Sequence, residues 1–199
     1  MQTELACLRT QLEEAVAAAY PNEEKVLVHG EGSINARVML IGEAPGEQET
    51  RLRRPFVGKA GKNLDEFLRL AGIDRNVLYI SNTVKFRPTR ISAAGRVVNR
   101  PPMRGEIEFF LPWLKREIGI VSPQTVVTLG NVPLRALMGN RVVIGGVHGQ
   151  FLRAEGFVVY PMYHPASVIY NPSLREVYTR DVLTLGQWLQ THPPGGNIL

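Results

Sequence analysis

The stretch that decides the fold is "VMLIGEAPGEQETRLRRPFVGKAG", residues 38–61. An apolar run stops at Gly42. An acid, a proline, a second glycine, more glutamates and three arginines follow, and then Pro55-Phe56-Val57-Gly58. A short apolar run without polar alternation reads as a strand covered on both faces. Counting this one, the chain has four such runs: "RVMLIG" (37–42), "VLYIS" (77–81), "TVVTLG" (125–130) and "FVVYPMYH" (157–164). Helical spacing fills the intervals. Residues 60–72 put Leu64, Phe67, Leu68 and Ala71 on one face and stop at Gly72. Residues 103–119 carry Ile107, Phe110, Leu111, Leu114 and Ile118, residues 131–139 form a short helix, and residues 173–190 a closing one. Strand–helix alternation calls for right-handed crossovers and a parallel sheet. The expected fold class is therefore α/β, a three-layer α/β/α sandwich with a four-stranded, mostly parallel sheet. "GGVHGQFLRAEGFVVY" reads as a hairpin inserted before the fourth strand, with turns at Gly145-Gly146 and Glu155-Gly156.

The 199 residues are expected to form one domain, with an N-terminal helical segment over 1–25 and a frayed tail over 192–199. A net charge of +5 and a pI near 9.6 invite an anionic partner, of which nucleic acid is the commonest, although many housekeeping proteins are as basic. One cysteine, Cys7, excludes an internal disulfide and a thiolate-rich metal cage. It lies in a helical pattern with Leu5, Leu8, Leu12 and Val16 and reads as a small apolar filler. The four histidines are dispersed, so no metal site is expected. Glu13 and Glu14 interrupt the only apolar stretch near the start, and no run reaches the ~20 residues of a membrane span. The expected protein is a soluble, cytoplasmic monomer.

Open parallel sheets bind ligands at the carboxyl ends of their strands. There this sequence places Glu43, Asn82, Gly130-Asn131 and His164. Each residue has a bland reading beside the functional one. Gly42-Glu43-Ala44-Pro45-Gly46 is a structural turn or a ligand cradle; it lacks the lysine of a P-loop and the spacing of a dinucleotide turn. Phe56 is a core residue or a stacking platform. Asn82 is a turn former or a hydrogen-bonding reader. His164 is a structural imidazole or a member of the same crevice. Residues 85–104, "KFRPTRISAAGRVVNRPPMR", hold Lys85, Arg87, Arg90, Arg96, Arg100 and Arg104 and no acid. With its prolines and Gly95 this stretch reads as a loop, either a solvated face or a phosphate-binding surface.

Taken in order, "GEAPGEQE", "RPFVGKAGKNLDEFL", "VLYISNTVKFRP", "NRPP", "PQTVVTLGNVPLRALMG" and "MYHPASVIYNP" resemble the uracil-DNA glycosylase superfamily, and within it the family-4 type that usually holds an iron–sulfur cluster. The resemblance runs from about Val28 to the C-terminal helix. It implies an enzyme that flips uracil out of DNA and hydrolyses the N-glycosidic bond, initiating base-excision repair. It implies that Gly42 and Ala44 form the base-binding turn, that Phe56 stacks on the uracil and that Asn82 reads its edge. His164 would hydrogen-bond O2, and Glu43 or Glu49 would stabilise the sugar cation or orient the water. Ala44 stands where the best-known members carry an aspartate. Lys85, Arg87, Arg90, Arg96, Arg100 and Ser167 would meet DNA, and Val168 or Ile169 would fill the gap left in the duplex.

The sequence departs from the family in its cluster cysteines, which are missing. Phe86 and Phe110 stand at two of their positions, so no cofactor is expected. Aromatic packing is expected in the cluster's place, with Leu111, Trp113 or Tyr20 as neighbours. The basic stretch before "NRPP" is also longer than usual. Two other functions stay open: excision of another deaminated base such as hypoxanthine, and binding of DNA lesions with little turnover.

Overall fold

The computed structural model describes residues 1–154 and 156–192. Its strands are β1 (Glu31–Gly32), β2 (Val38–Gly42), β3 (Tyr79–Asn82), β4 (Thr89–Ile91), β5 (Val97–Asn99), β6 (Thr125–Leu129), β7 (Leu152–Ala154) and β8 (Phe157–Met162). Its helices are α1 (Gln2–Ala19), α2 (Glu47–Leu52), α3 (Lys59–Leu70), α4 (Arg104–Val121), α5 (Asn131–Met138), α6 (Ile144–Val147), α7 (Ser167–Tyr170) and α8 (Leu174–Thr191). The main sheet runs β1-β3-β2-β6-β8-β7. The four expected strands form its parallel centre, in the order β3-β2-β6-β8. The expectation of four strands is corrected to six, because β1 and β7 add short antiparallel edges. With two and three residues respectively, those edges are too short to show a periodicity.

Every residue of β2, β3 and β6 is buried, which explains the unbroken apolar reading. Alternate residues feed opposite layers. Val38, Leu40, Ile80, Val127 and Leu129 pack with Leu64, Phe67 and Leu68 of α3 and with Tyr178, Val182, Leu185 and Trp188 of α8. Met39, Ile41, Tyr79 and Val126 pack with Leu5 and Leu8 of α1 and Leu114, Ile118 and Val121 of α4. The two helical layers and the sheet between them make the α/β/α sandwich.

A third cluster joins α1 to the chain after β3. Phe86 and Phe110 are buried, with ring centroids 5.5 Å apart at 69°. Tyr20 meets Phe86 edge-on at 5.4 Å, Phe109 meets Phe110 at 5.0 Å, and Trp113 packs against the group. The Lys25 ammonium lies 4.6 Å from the Phe86 ring centre. The expected pairing of the two phenylalanines is present, whereas Leu111 is not part of the cluster.

Other expectations need correction. Cys7 is exposed; Leu5, Leu8, Leu12 and Val16 are the buried stripe of α1. Residues 85–104 are mostly loop, as expected, but they also carry a short ribbon in which β4 and β5 pair antiparallel, with Thr89 opposite Asn99 and Ile91 opposite Val97. Gly145-Gly146 lies inside the helical turn α6 rather than in a hairpin turn. The hairpin itself is β7–β8. Of its expected turn, Glu155 lies outside the described residues, as does the expected frayed tail beyond His192.

Candidate active site

The candidate site lies where β2 and β3 end side by side, with Gly42 in register with Asn82. Beyond the ladder the two chains stay joined. Thr83 donates to the Gly42 carbonyl from its N–H (2.8 Å) and its hydroxyl (2.9 Å), and the Val84 N–H donates to the Glu43 carbonyl at 3.0 Å. A Cβ on Gly42 would collide with the Asn82 amide oxygen and stand 2.5 Å from the Phe56 ring. The bare backbone at Gly42 is thus the floor over which Phe56 and Asn82 meet. His164, two residues past β8, brings its ring to 5.9 Å from that of Phe56, tilted by 32°. Asn82 as a whole is 2 % exposed, and its side-chain amide has no hydrogen-bond partner among the described residues.

His164 has a defined proton. Its Nδ1 accepts the Ala166 N–H at 3.2 Å, so the neutral ring carries hydrogen on Nε2. Burial pushes its pKa down to about 4, with the Glu49 carboxylate acting weakly the other way. Near neutral pH it is an uncharged imidazole whose Nε2–H has no partner among the described residues. Burial raises the pKa of the Glu43 carboxyl, and its side chain has no hydrogen-bond partner among the described residues.

Glu49 is committed differently. Its Oε1 accepts the N–H groups of Val57 (3.0 Å) and Gly58 (2.7 Å), the latter the residue that precedes α3. A carboxylate there suits the unsatisfied donors and the positive end of the helix. Between Glu49 and α3, Phe56 takes a left-handed conformation, φ 54°. For a phenylalanine this stores on the order of 1–3 kcal/mol of strain. Arg75 holds the turn from the other side, donating to the carbonyls of Pro55 (2.9 Å) and Phe56 (3.2 Å) while pairing with Asp65 at 2.6 Å. Gly61 lets α3 close in, since a Cβ there would collide with the Phe56 carbonyl. Neither the left-handed phenylalanine nor Arg75 was found from sequence; the contacts span 19 and 20 residues and leave no local periodicity.

The expected DNA-binding residues divide into two groups. Lys85 is corrected from a surface cation to a buried one. It is 2 % exposed, pairs with Glu117 at 2.6 Å and donates to the Asn82 carbonyl at 2.8 Å. Burial alone would raise the Glu117 pKa, but Lys85, Ser81 and Tyr79 more than offset it and leave the carboxyl below its ordinary value. This network lies directly behind the strand end that carries Asn82. Arg87 is engaged with Asn99 and Glu47, and Arg100 grips both oxygens of Glu106 at 2.6 and 2.7 Å. Arg90 and Arg96 stay exposed, with no side-chain partner among the described residues. Ser167 donates its N–H to the His164 carbonyl at 2.8 Å and so supports the histidine loop. Val168 is corrected as a wedge candidate because it is buried in the main core. Ile169 is 46 % exposed, and Tyr170, missed in the sequence, is 86 % exposed.

Phe86 and Phe110 occupy two expected cluster-ligand positions with buried rings, and the chain's one thiol is exposed on α1. This donor set does not fit an iron–sulfur cluster, which takes about four thiolates.

A profile of the uracil DNA glycosylase superfamily matches residues 29–184. The chain is similar to a type-4 uracil-DNA glycosylase of Sulfurisphaera tokodaii, 39 % identical over 163 residues, covering 77 % of this chain and 70 % of that one. It is 40 % identical over 166 residues to a type-4 uracil-DNA glycosylase of Pyrobaculum aerophilum, covering 79 % of this chain and 81 % of the relative. It is 37 % identical over 165 residues to that of Thermotoga maritima, covering 81 % of each.

Proposed function

The chain belongs to the uracil DNA glycosylase superfamily and excises uracil from DNA in base-excision repair, and we propose that it does so in the crevice between β2, β3 and β8. A base within a duplex must leave the stack to be reached. In this reading Phe56 receives the uracil face. The Asn82 amide accepts from N3–H and donates to O4; cytosine presents the reverse pattern and is rejected. As the C1′–N1 bond breaks, its electron pair leaves with the base and charge gathers on O2, where His164 Nε2–H donates. The water oxygen bonds to C1′ and Glu43 takes its proton, leaving an abasic site. The desolvated, unpartnered carboxylate of Glu43 supports that role. Glu49, whose oxygen is spent on the Phe56 turn, is a positioning residue.

The observation that carries the reading is the meeting of Phe56, Asn82 and His164 over the bare backbone of Gly42. No described helix is long and apolar enough to cross a membrane, and a DNA substrate supports a working place on the nucleoid. The donor set at Phe86 and Phe110 supports catalysis without an iron–sulfur cluster.

The test is excision from duplexes carrying uracil, hypoxanthine, xanthine or no lesion. Uracil should be released and the others retained; hypoxanthine release would favour a changed base pocket, and tight binding without alkali-labile sites would favour a lesion-binding protein. Asn82→Asp should slow uracil excision roughly ten- to a hundredfold, the ~1–3 kcal/mol of a lost bidentate base contact, and admit cytosine. Unchanged kinetics would remove Asn82 from the site.

Arg75→Lys offers a separate check on the platform, because a lysine ammonium lacks the planar fork that reaches two carbonyls. We expect kcat to fall on the order of tenfold or more, since small misplacements of reacting groups are costly. KM for DNA should change little. A variant whose KM rises while kcat holds would make Arg75 a DNA contact instead.

A further inference from the structure

The β4–β5 hairpin carries an apolar pair that the excision chemistry does not use. Ile91 and Val97 face each other across the ladder and are 65 % and 55 % exposed. Every residue of β4 is exposed, and of β5 only Val98 is half-buried, so the ribbon stands away from the core. Two-stranded ribbons are marginal on their own, yet this one is secured at both roots. Arg87 bridges Asn99 to Glu47, and the Asn99 amide nitrogen lies 3.5 Å from where a Cβ on Gly46 would stand, in the turn that carries Glu43. Arg100 bonds the Thr89 carbonyl at 3.0 Å and clasps Glu106 at the start of α4. At the tip, Ser92 receives the Gly95 N–H on its carbonyl and the Arg96 N–H on its hydroxyl. The hairpin is therefore a fixed projection beside the crevice.

We propose that this hairpin is a duplex-reading finger, which presses Ile91 and Val97 against the bases beside the extruded nucleotide while Arg90 and Arg96 meet flanking phosphates. The occupant is DNA because residues 85–104 contain no acid, and Arg90, opposite Val98 on the reverse face of the ribbon, and Arg96, next to Val97, have no side-chain partner among the described residues. Two-stranded ribbons are narrow enough to enter a groove of duplex DNA, and exposed apolar side chains are what minor-groove binders press between base steps. A single strand has no stack to press against, so the finger serves duplex substrates alone. The proposal rests on the uracil-excision reading for the identity of the extruded base.

The test is Ile91→Ser combined with Val97→Ser in the full chain. Both side chains are exposed, so the thermal midpoint should stay near that of the unaltered protein. Excision from a uracil-containing duplex should fall roughly tenfold or more, the scale of a lost buried aliphatic contact. Excision from a single strand of the same sequence should stay within about twofold, well under the ~1.4 kcal/mol of a tenfold change. An equal loss on both substrates, or no loss on either, overturns the proposal. Equilibrium binding to a duplex with a stable abasic analogue, compared with the matching single strand, reads the finger without any excision. A duplex-selective loss of affinity there supports it even if uracil is not the excised base, and equal affinities sink it. Arg90→Ala with Arg96→Ala supplies the electrostatic arm, where each lost phosphate contact should lower the salt slope on duplex DNA by about 0.9. A slope equal to that of the unaltered protein would remove the arginines from the finger.

Discussion

Replacing His164 with alanine should lower single-turnover excision of uracil by on the order of 10²–10³ and leave DNA affinity nearly intact. The asymmetry follows from when the hydrogen bond matters. Uracil O2 is a weak acceptor in the intact nucleotide and gains negative charge only as the C1′–N1 bond breaks, so the Nε2–H contact strengthens toward the transition state. The structure has the donor ready, because the Ala166 N–H occupies Nδ1 and burial keeps the ring neutral down to about pH 4. The pH profile of the His164-dependent rate should therefore show no histidine step between pH 5 and 8, where an ordinary imidazole would titrate. The same depression has a consequence for stability. The unfolded chain takes up the histidine proton near its ordinary value of 6.5, whereas the native state resists until about 4. Between those values the unfolded state binds more protons, so stability falls as the pH drops through this window, and His164→Ala should flatten that part of the curve. An alanine variant that binds DNA poorly but excises at the normal rate when saturated would make His164 a binding residue.

Removing the Phe110 ring should cost ~3–5 kcal/mol of folding stability, the usual range for deleting a buried phenylalanine side chain. For a chain of this size that is roughly 6–20 °C in thermal midpoint. Phe110 is fully buried and touches Phe86 and Phe109 edge-on. Tyr20 links the same group to the end of α1, and Leu12 and Val16 of α1 lie in the same cluster. The rings thus tie together the N-terminal helix, the chain after β3 and α4. Each edge-on pair adds ~0.5–1.5 kcal/mol beyond its buried area. Urea unfolding of Phe110→Ala, with metal analysis of the unaltered protein, checks both halves of the idea. A loss under about 1 kcal/mol would put the ring outside the well-packed core, and stoichiometric iron would overturn the cluster-free reading. Phe86→Cys with Phe110→Cys should bind no cluster, since two further thiolates are still missing.

What could be read in the chain divides along a physical line. Buried parallel strands announce themselves locally, because both faces of β2 and β6 must be apolar, and the break at Gly42 marks where burial ends. The order of strands and helices then constrains the topology through the handedness of the crossovers. For that reason Glu43, Asn82 and His164 could be assigned to one edge of one sheet from spacing alone.

Charge and conformation were decided at longer range. Lys85 and Arg87 look alike in "VKFRP", yet Lys85 is buried against Glu117, 32 positions away, while Arg87 meets Glu47, 40 positions away. Nothing within a few residues of a lysine tells whether its ammonium will find a partner. The same holds for Glu43 and Glu49, equally acidic in sequence. Packing leaves the first without a hydrogen-bond partner among the described residues and sets the second on the Val57 and Gly58 amides. Phe56 is held left-handed by Arg75 and by the approach of α3 at Gly61, contacts that exist only once the layers close. The sequence by itself determined where the strands end and which residue types stand there. Which of those groups find partners is settled only by packing, because a side chain's availability is set by the distant groups that packing brings to it.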